Sequence, residues 1–356
     1  MTGEKTVSDR KEAKEALDIV LKKSRIHFYK PIQIAEILFH ARVYKDIDPL
    51  KLEDYRTKSR RWRNEICRPL LGRVCSSSAG FQDDLFNDAI PPILLNELHK
   101  ENLRTGGAVE SYIYRRFTNK HDQLSDELNY CLNADKATFD VKEFIDSFWN
   151  ESGLKRSIDK IYEIIVYALF STLVEALEMK VEVSVDDKHF DILSEFEDFS
   201  QKVMCIDFSN PTHIQDARVY RVGVTNAADR GLDMYSNWGP AIQIKHLSLD
   251  VTLAENIVES VSSDRIVIVC KDAERETIVS LLTQIGWRSR IQSIVTESDL
   301  VSWYEKALRG KYADLIGNEL LSKLCEEIAE EFPSVEDIPD ALKERHYENI
   351  SDSFWQ

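Results

Sequence analysis

Paired thiols are missing from this 356-residue chain: Cys67, Cys75, Cys131, Cys205, Cys270 and Cys325 include no C-x-x-C pair. That argues against a structural zinc site and for reduced thiols in a cytoplasmic protein. No apolar run approaches the length of a membrane span, and Met1-Thr-Gly-Glu-Lys-Thr6 lacks a signal peptide's apolar core, so no membrane partner is expected. Internal repeats and low-complexity tracts are also missing, which excludes a solenoid and a long disordered linker. Positive charge is in short supply, with 46 Lys and Arg against 62 Asp and Glu, a net charge of −16. A nucleic-acid partner is therefore tenable only if the basic residues are gathered locally.

They are gathered. Arg56 to Arg73 holds seven basic residues against the single acid Glu65, and Arg104 to Lys120 holds four against Glu110. Acid concentrates elsewhere, notably from Glu326 to Glu344. Such segregation lets a basic cleft hold DNA while the remaining surface repels it; solvated helix faces are the bland alternative for either patch. Hydrophobic content of 43% and charged content of 30% fit a soluble globular protein with a substantial core. The length and the break near Ser152-Gly153 predict a mainly helical region over 1–152, an α/β region over 153–310 and an acidic helical tail over 311–356.

Helical periodicity predicts helices over 8–23, with Ser8 as N-cap, 31–41, 49–55 and 58–71. Residues 73–86 then read as a hairpin, which after short helices gives an arrangement like a winged helix, its basic helix aimed at the major groove. A helical packing module with solubilising arginines is the competing reading. Helices are expected over 93–103 and around 141–149, with 118–140 mostly polar connection. Arg60, Arg61, Arg63, Arg104, Arg115 and Arg116 are the candidate DNA contacts of this half.

Ile158 to Glu178 is the strongest helix in the chain, apolar around most of its circumference and so buried. A buried helix cannot leave a carboxylate unpaired cheaply, which singles out Glu163 and, second, Glu175. Alternation predicts strands over 181–185 and 218–224, and a helix over 189–199. After the central hairpin the order is helix 252–261, strand 265–270, helix 274–285, strand 291–295 and helix 297–308, implying a mixed sheet between helices.

The hairpin is formed by Gly231-Leu-Asp-Met-Tyr235, the turn Ser236-Asn-Trp-Gly-Pro240, and Ala241 to Leu247. In the second strand Ile242, Ile244 and Leu247 are apolar; Gln243 and Lys245, two apart, project together while the isoleucines enter a core. Pairing brings Asp233 beside them: a carboxylate, an amide oxygen and an ammonium on one surface. Magnesium takes oxygen ligands and accepts one or two carboxylates with phosphate and water. A nearby lysine can orient water or offset developing negative charge, so the trio suits phosphodiester hydrolysis. An ordinary hairpin with Gln and Lys on its solvent face fits the same spacing.

Asp229-Arg-Gly-Leu-Asp233 with Gln243-Ile-Lys245 resembles the metal-binding motif of PD-(D/E)xK nucleases. Thr225-Asn-Ala-Ala-Asp-Arg-Gly-Leu-Asp-Met234 followed by Gly239-Pro-Ala-Ile-Gln-Ile-Lys-His246 is similar to the HaeII family of type II restriction endonucleases. Trp62-Arg-Asn-Glu-Ile-Cys-Arg68, Cys75-Ser-Ser-Ser78 and Tyr112-Ile-Tyr-Arg-Arg-Phe117 extend that likeness over most of the chain. The resemblance implies a PD-(D/E)xK core of mixed sheet and helices, with Asp233 and Gln243 at a magnesium ion, Lys245 at the water and Glu163 as helix-borne auxiliary acid. It also implies cleavage of double-stranded DNA at a palindromic GC-rich hexamer of the RGCGCY type, leaving 5′-phosphate and 3′-hydroxyl. A homodimer suits a palindrome, and a cognate DNA methyltransferase would accompany a restriction–modification system. Arg230 and His246 join the candidate DNA contacts, although pairing with Asp229 and a structural role at the strand end are the favoured readings of the two. A repair or branch-cleaving nuclease of low specificity, and a non-catalytic DNA-binding protein, are the alternatives.

Overall fold

The computed structural model describes residues 2–151, 154–155, 157–222, 232–283, 290–332 and 340–351. The chain divides into two compact units. One comprises Met1–Tyr130, Asp146–Ser157 and Phe332–Gln356; the other comprises Cys131–Ile145 and Ile158–Glu331.

The first unit is helical among its described residues. Its helices are α1 (Thr2–Lys23), α2 (Tyr29–Val43), α3 (Leu52–Tyr55), α4 (Lys58–Leu71), α5 (Ala79–Asp83) and α6 (Pro92–Arg104), and the first part of α7 (Ala108–Asn133). Ser8 lies inside α1 rather than capping it, because the helix starts at Thr2. Ile34, Ile37 and Leu38 of α2 are fully buried, as their spacing requires, and pack with Trp62, Ile66 and Leu70 of α4 in one core.

No hairpin forms over 73–86. The segment is a loop running into α5, whose N-cap Ser78 accepts a hydrogen bond from the Phe81 amide, and then a π-helical turn over Asp84–Ala89. The reason lies in α4. The Arg63 guanidinium donates to the Cys75 carbonyl at 2.6 Å and to Ser77 Oγ at 2.7 Å, occupying polar groups that a strand ladder would need. The winged-helix expectation therefore lacks its wing. Residues 118–133, expected as polar connection, continue α7; α8 (Val141–Asn150) follows.

The second unit is α+β. Helix α9 (Ile158–Ala176) packs beside a five-stranded mixed sheet of order β3-β4-β5-β6-β7. These strands are β3 (Val219–Arg221), β4 (Met234–Ser236), β5 (Ala241–Leu249), β6 (Ile266–Ala273) and β7 (Ile291–Thr296). Strands β3, β4 and β5 pair antiparallel; β5, β6 and β7 run parallel, joined through α12 (Val251–Ser260) and α13 (Arg275–Thr283). Ile266, Ile268, Val269 and Cys270 of β6 are fully buried, as a centrally placed parallel strand requires. Helix α14 (Glu297–Arg309) packs against β6 and β7, and α15 (Ala313–Glu331) against α9 and α14.

Between α9 and β3 lies an antiparallel ribbon of β1 (Lys180–Ser184) and β2 (Thr212–Asp216), β2 being a strand with no clear alternation in the sequence. The expected helix over 189–199 is broken into α10 (Phe190–Glu195) and α11 (Glu197–Met204). The segment 311–356, read as one tail, contributes to both units. Helix α15 belongs to the second, while Tyr347 is buried in the core of the first, near α16 (Asp340–Lys343).

Candidate active site

Backbone pairing builds the site. Met234 lies opposite Ile242 and Tyr235 opposite Ala241, so Asp233 enters β4 beside Gln243 and Ile244. The β4–β5 turn depends on Gly239, whose φ of +121° is left-handed and whose missing Cβ leaves room for the Arg265 guanidinium. That guanidinium closes the turn by donating to the Trp238 carbonyl at 2.7 Å.

The expected trio is together. Asp233 Oδ2 accepts from the Gln243 amide nitrogen and, at 2.8 Å, from the Ile244 backbone N–H; Lys245 Nζ lies 3.9 Å from the same oxygen. Gln243 is 2% exposed, whereas the Lys245 side chain is 40% exposed and opens to solvent. Burial pushes the Asp233 carboxyl above its ordinary range, and Lys245 and the Ile244 amide offset this only in part.

Ile242 and Ile244 are buried, and Leu247, on the face of Lys245, is exposed, as the pleat requires. The β5–β6 register shifts between Lys245 and Ser248, and past it Ser248 is exposed and Leu249 buried. His246 is 3% exposed on the opposite side of β5 from Lys245. Its Nε2 lies 3.1 Å from Glu297 Oε2, and its ring meets the Tyr162 ring edge-on. Lys142 reaches the other Glu297 oxygen at 3.3 Å. Burial pushes Glu297 up, yet the His246 hydrogen bond and the Lys142 charge together bring it below the usual range. His246 is thus tied into the fold by Glu297 and Tyr162.

Helix α9 brings Glu163 to the same cluster. The side chain is buried, its carboxyl pushed up first by burial and further by the Asp233 charge. Lys160, one turn earlier, lies 2.6 Å from Glu163 Oε2, and Arg221 of β3 lies 3.6 Å from Oε1. Arg221 is anchored in turn by Glu327 at 2.9 Å and Glu331 at 3.3 Å, both from α15. Glu175, the second candidate, lies away from this cluster: it is half-exposed, bonded to Ser171 at 2.9 Å and Lys323 at 2.6 Å. Lys160 and Arg221 escaped the sequence reading. The spacing of Lys160 to Glu163 was available as a helical i,i+3 pair, but Arg221 carries no local signal.

Among the described residues two buried oxygens of the cluster have no hydrogen-bond partner: Gln243 Oε1, and Glu163 Oε1, which has only the Arg221 charge at 3.6 Å. Buried oxygens are nearly always hydrogen-bonded, so such oxygens beside a carboxylate mark a place for a ligand. An all-oxygen donor set of two carboxylates and an amide fits a hard divalent cation. Among the described residues no three His, Cys, Asp or Glu side chains converge as a metal cage, so water and phosphate would have to complete the shell.

The candidate DNA contacts separate by burial. Arg60 and Arg61 are exposed on α4, Arg61 pairing with Glu65 at 2.8 Å. Arg104 is exposed and paired with Glu101, and Arg116 is exposed with its guanidinium over the Tyr112 ring. Arg63 is completely buried, bonded to Gln33 and Asn64 besides its loop partners. Arg115 is half-buried and donates to the Tyr347 and Ile350 carbonyls. Both are tied into the fold. Arg230 lies outside the described residues.

The family model of the HaeII restriction endonuclease matches residues 13–347. The chain belongs to the HaeII restriction endonuclease family. It is 54% identical to the type II restriction enzyme HaeII of Haemophilus aegyptius over 97% of this chain and 99% of the relative. It is 56% identical to the type II restriction enzyme NgoBI of Neisseria gonorrhoeae, over 94% of this chain and 95% of the relative. No solved structure matches the chain. As a member of the HaeII family the chain is an endonuclease.

Proposed function

We propose that this chain is a magnesium-dependent type II restriction endonuclease of PD-(D/E)xK type. It would cleave double-stranded DNA at a palindromic GC-rich site of the RGCGCY type and leave 5′-phosphate and 3′-hydroxyl ends. The observation that carries this reading is the meeting of Asp233, Gln243 and Lys245, with Glu163 close enough for the two carboxylates to repel, and two buried oxygens there without a hydrogen bond among the described residues. When bound there, the magnesium ion would lower the pKa of water and polarise the phosphoryl oxygen. Asp233 and Glu163 supply the negative charge that holds it, and Gln243 supplies a neutral oxygen. Lys245, on the solvent-open side, is placed to orient the attacking water and to neutralise charge on the phosphate.

Each chain carries one such cluster, so cutting both strands of a palindrome suits a homodimer with two-fold symmetry. A cognate DNA methyltransferase would protect the same site in the host. Incubating plasmid DNA of known sequence with protein and Mg²⁺, then sequencing the fragment ends, tests the reading. Discrete ends at one repeated sequence are expected; a smear, or nicking at branched structures, would overturn it in favour of a repair nuclease. Lys245→Ala should reduce the single-turnover rate by about 10³-fold, the scale on which a preorganised electrostatic group acts. If the wild type cuts nothing and still binds DNA, the protein is a non-catalytic binder.

A further inference from the structure

The acid cluster already contains a cation. Lys160 extends from α9 to Glu163 Oε2 at 2.6 Å, and its charge also acts on Asp233. Of the other positive groups, Lys245 stands at Asp233 on the solvent-open side, and Arg221 is held by Glu327 and Glu331 and so is committed to α15 as well as to Glu163. Lys160 has no second anchor of that kind: among the described residues, Glu163 is its carboxylate partner. It sits on a flexible four-carbon stem and is about a quarter exposed, at 26% of its side-chain surface. An ammonium at this distance and a divalent ion on the same carboxylate repel one another strongly in a partly buried site.

We propose that Lys160 is a resident counter-ion that holds the Glu163–Asp233 cluster against free divalent metal until DNA supplies another anion for its ammonium. The inference rests on the reading of this cluster as the metal site. In the bare protein a metal at Glu163 has to displace the ammonium, and among the described residues no other carboxylate lies within ion-pair distance to receive it. A DNA phosphate offers that partner, so metal and substrate enter together, and the enzyme stays idle without DNA. Lys160 is in this sense a positioning residue, acting on the metal through Glu163.

Mn²⁺ binding to the whole protein without DNA, followed by loss of the free-ion signal in electron paramagnetic resonance, tests the idea apart from cleavage. Wild type, Lys160→Met, Lys160→Arg and Asp233→Asn are compared, with circular dichroism as the control for folding. Lys160→Met, similar in length but uncharged, should bind Mn²⁺ about tenfold more tightly than wild type, the scale of a screened charge repulsion. Lys160→Arg should match wild type. Unchanged or weaker binding by Lys160→Met, with binding lost in Asp233→Asn, overturns the counter-ion role and leaves the metal site standing. Unchanged binding in Asp233→Asn overturns the metal site itself, and the inference with it. Should Lys160→Met not fold, Lys160→Gln reads the same quantity.

Discussion

Asp233 is held at a cost to the bare fold. Its carboxyl is buried and pushed above the ordinary range, so the native state takes up its proton more readily than the unfolded chain does. Stability from that group is complete below the ordinary carboxylate pKa and is lost as pH rises through the raised value. Asp233→Asn removes the titration. In EDTA, the melting temperature of Asp233→Asn should equal that of wild type at pH near 4 and exceed it at pH 7. The sign of that difference, read by thermal denaturation at the two pH values, is the test. The same substitution should abolish cleavage. Glu163 is raised as well, so activity on acidification should fall at a higher pH than an ordinary carboxylate would dictate. A pH–rate profile under single-turnover conditions measures this. Lower stability and higher activity together are what a site kept for a ligand produces.

At the scale of elements, β5 and α4 each present two faces with different duties. Lys245 stands on the open face of β5 and His246 on the buried one, clasped by Glu297 and Tyr162. His246→Ala should therefore lower stability by about 2 kcal/mol in urea denaturation, the cost of leaving a buried partner unsatisfied. Cleavage per folded molecule should change far less than in Lys245→Ala. In α4 the buried Arg63 ties Gln33, Asn64, Ser77 and the Cys75 carbonyl together, so Arg63→Ala should cost about 3 kcal/mol or more. Arg60→Ala, on the exposed face, should leave stability unchanged within about 0.5 kcal/mol.

These pairs show where the sequence could be read and where it could not. Period-two alternation placed Ile242, Ile244, Gln243 and Lys245 on the right faces, because a strand's side chains follow the pleat. The same rule did not show the register shift between Lys245 and Ser248, which is set by the neighbouring strand and leaves no local mark. Helix α4 was legible from Trp62, Ile66 and Leu70. That Arg63 is buried was not, because the four groups that satisfy it come from α2, α4 itself and a loop. The hairpin expected over 73–86 failed for the same reason. Glu163 was found by its incongruity in an apolar helix, whereas Arg221 becomes meaningful only when α15 brings Glu327 and Glu331 to it.

For the whole molecule, the net charge of −16 makes DNA binding a matter of local fields. Arg60, Arg61, Arg104 and Arg116 are the exposed members of the candidate set. Replacing any one that meets a phosphate should reduce the slope of log K against log salt by about one. Fluorescence anisotropy in Ca²⁺, between low and moderate salt, measures that slope. Arg63→Ala should leave the slope of the folded fraction unchanged. Sedimentation of the protein on a short palindromic duplex should give two chains per DNA.

The last stretch of chain has a consequence for how the protein comes into being. Arg345 grips Glu36 at 2.6 Å, Tyr347 reaches Glu110 at 2.6 Å, and Ser111 reaches the Tyr347 carbonyl at 3.1 Å. The helices carrying Glu36 and Glu110 are translated hundreds of residues before their partners. Until residues 345–347 are in place, Glu110 is matched by Arg42 and Asn102, while buried Glu36 has only the Tyr114 hydroxyl and no cation. Closure of the helical core around Glu36 therefore waits for a segment made some three hundred residues later, so a chain cut before Arg345 should melt at a lower temperature than the whole one.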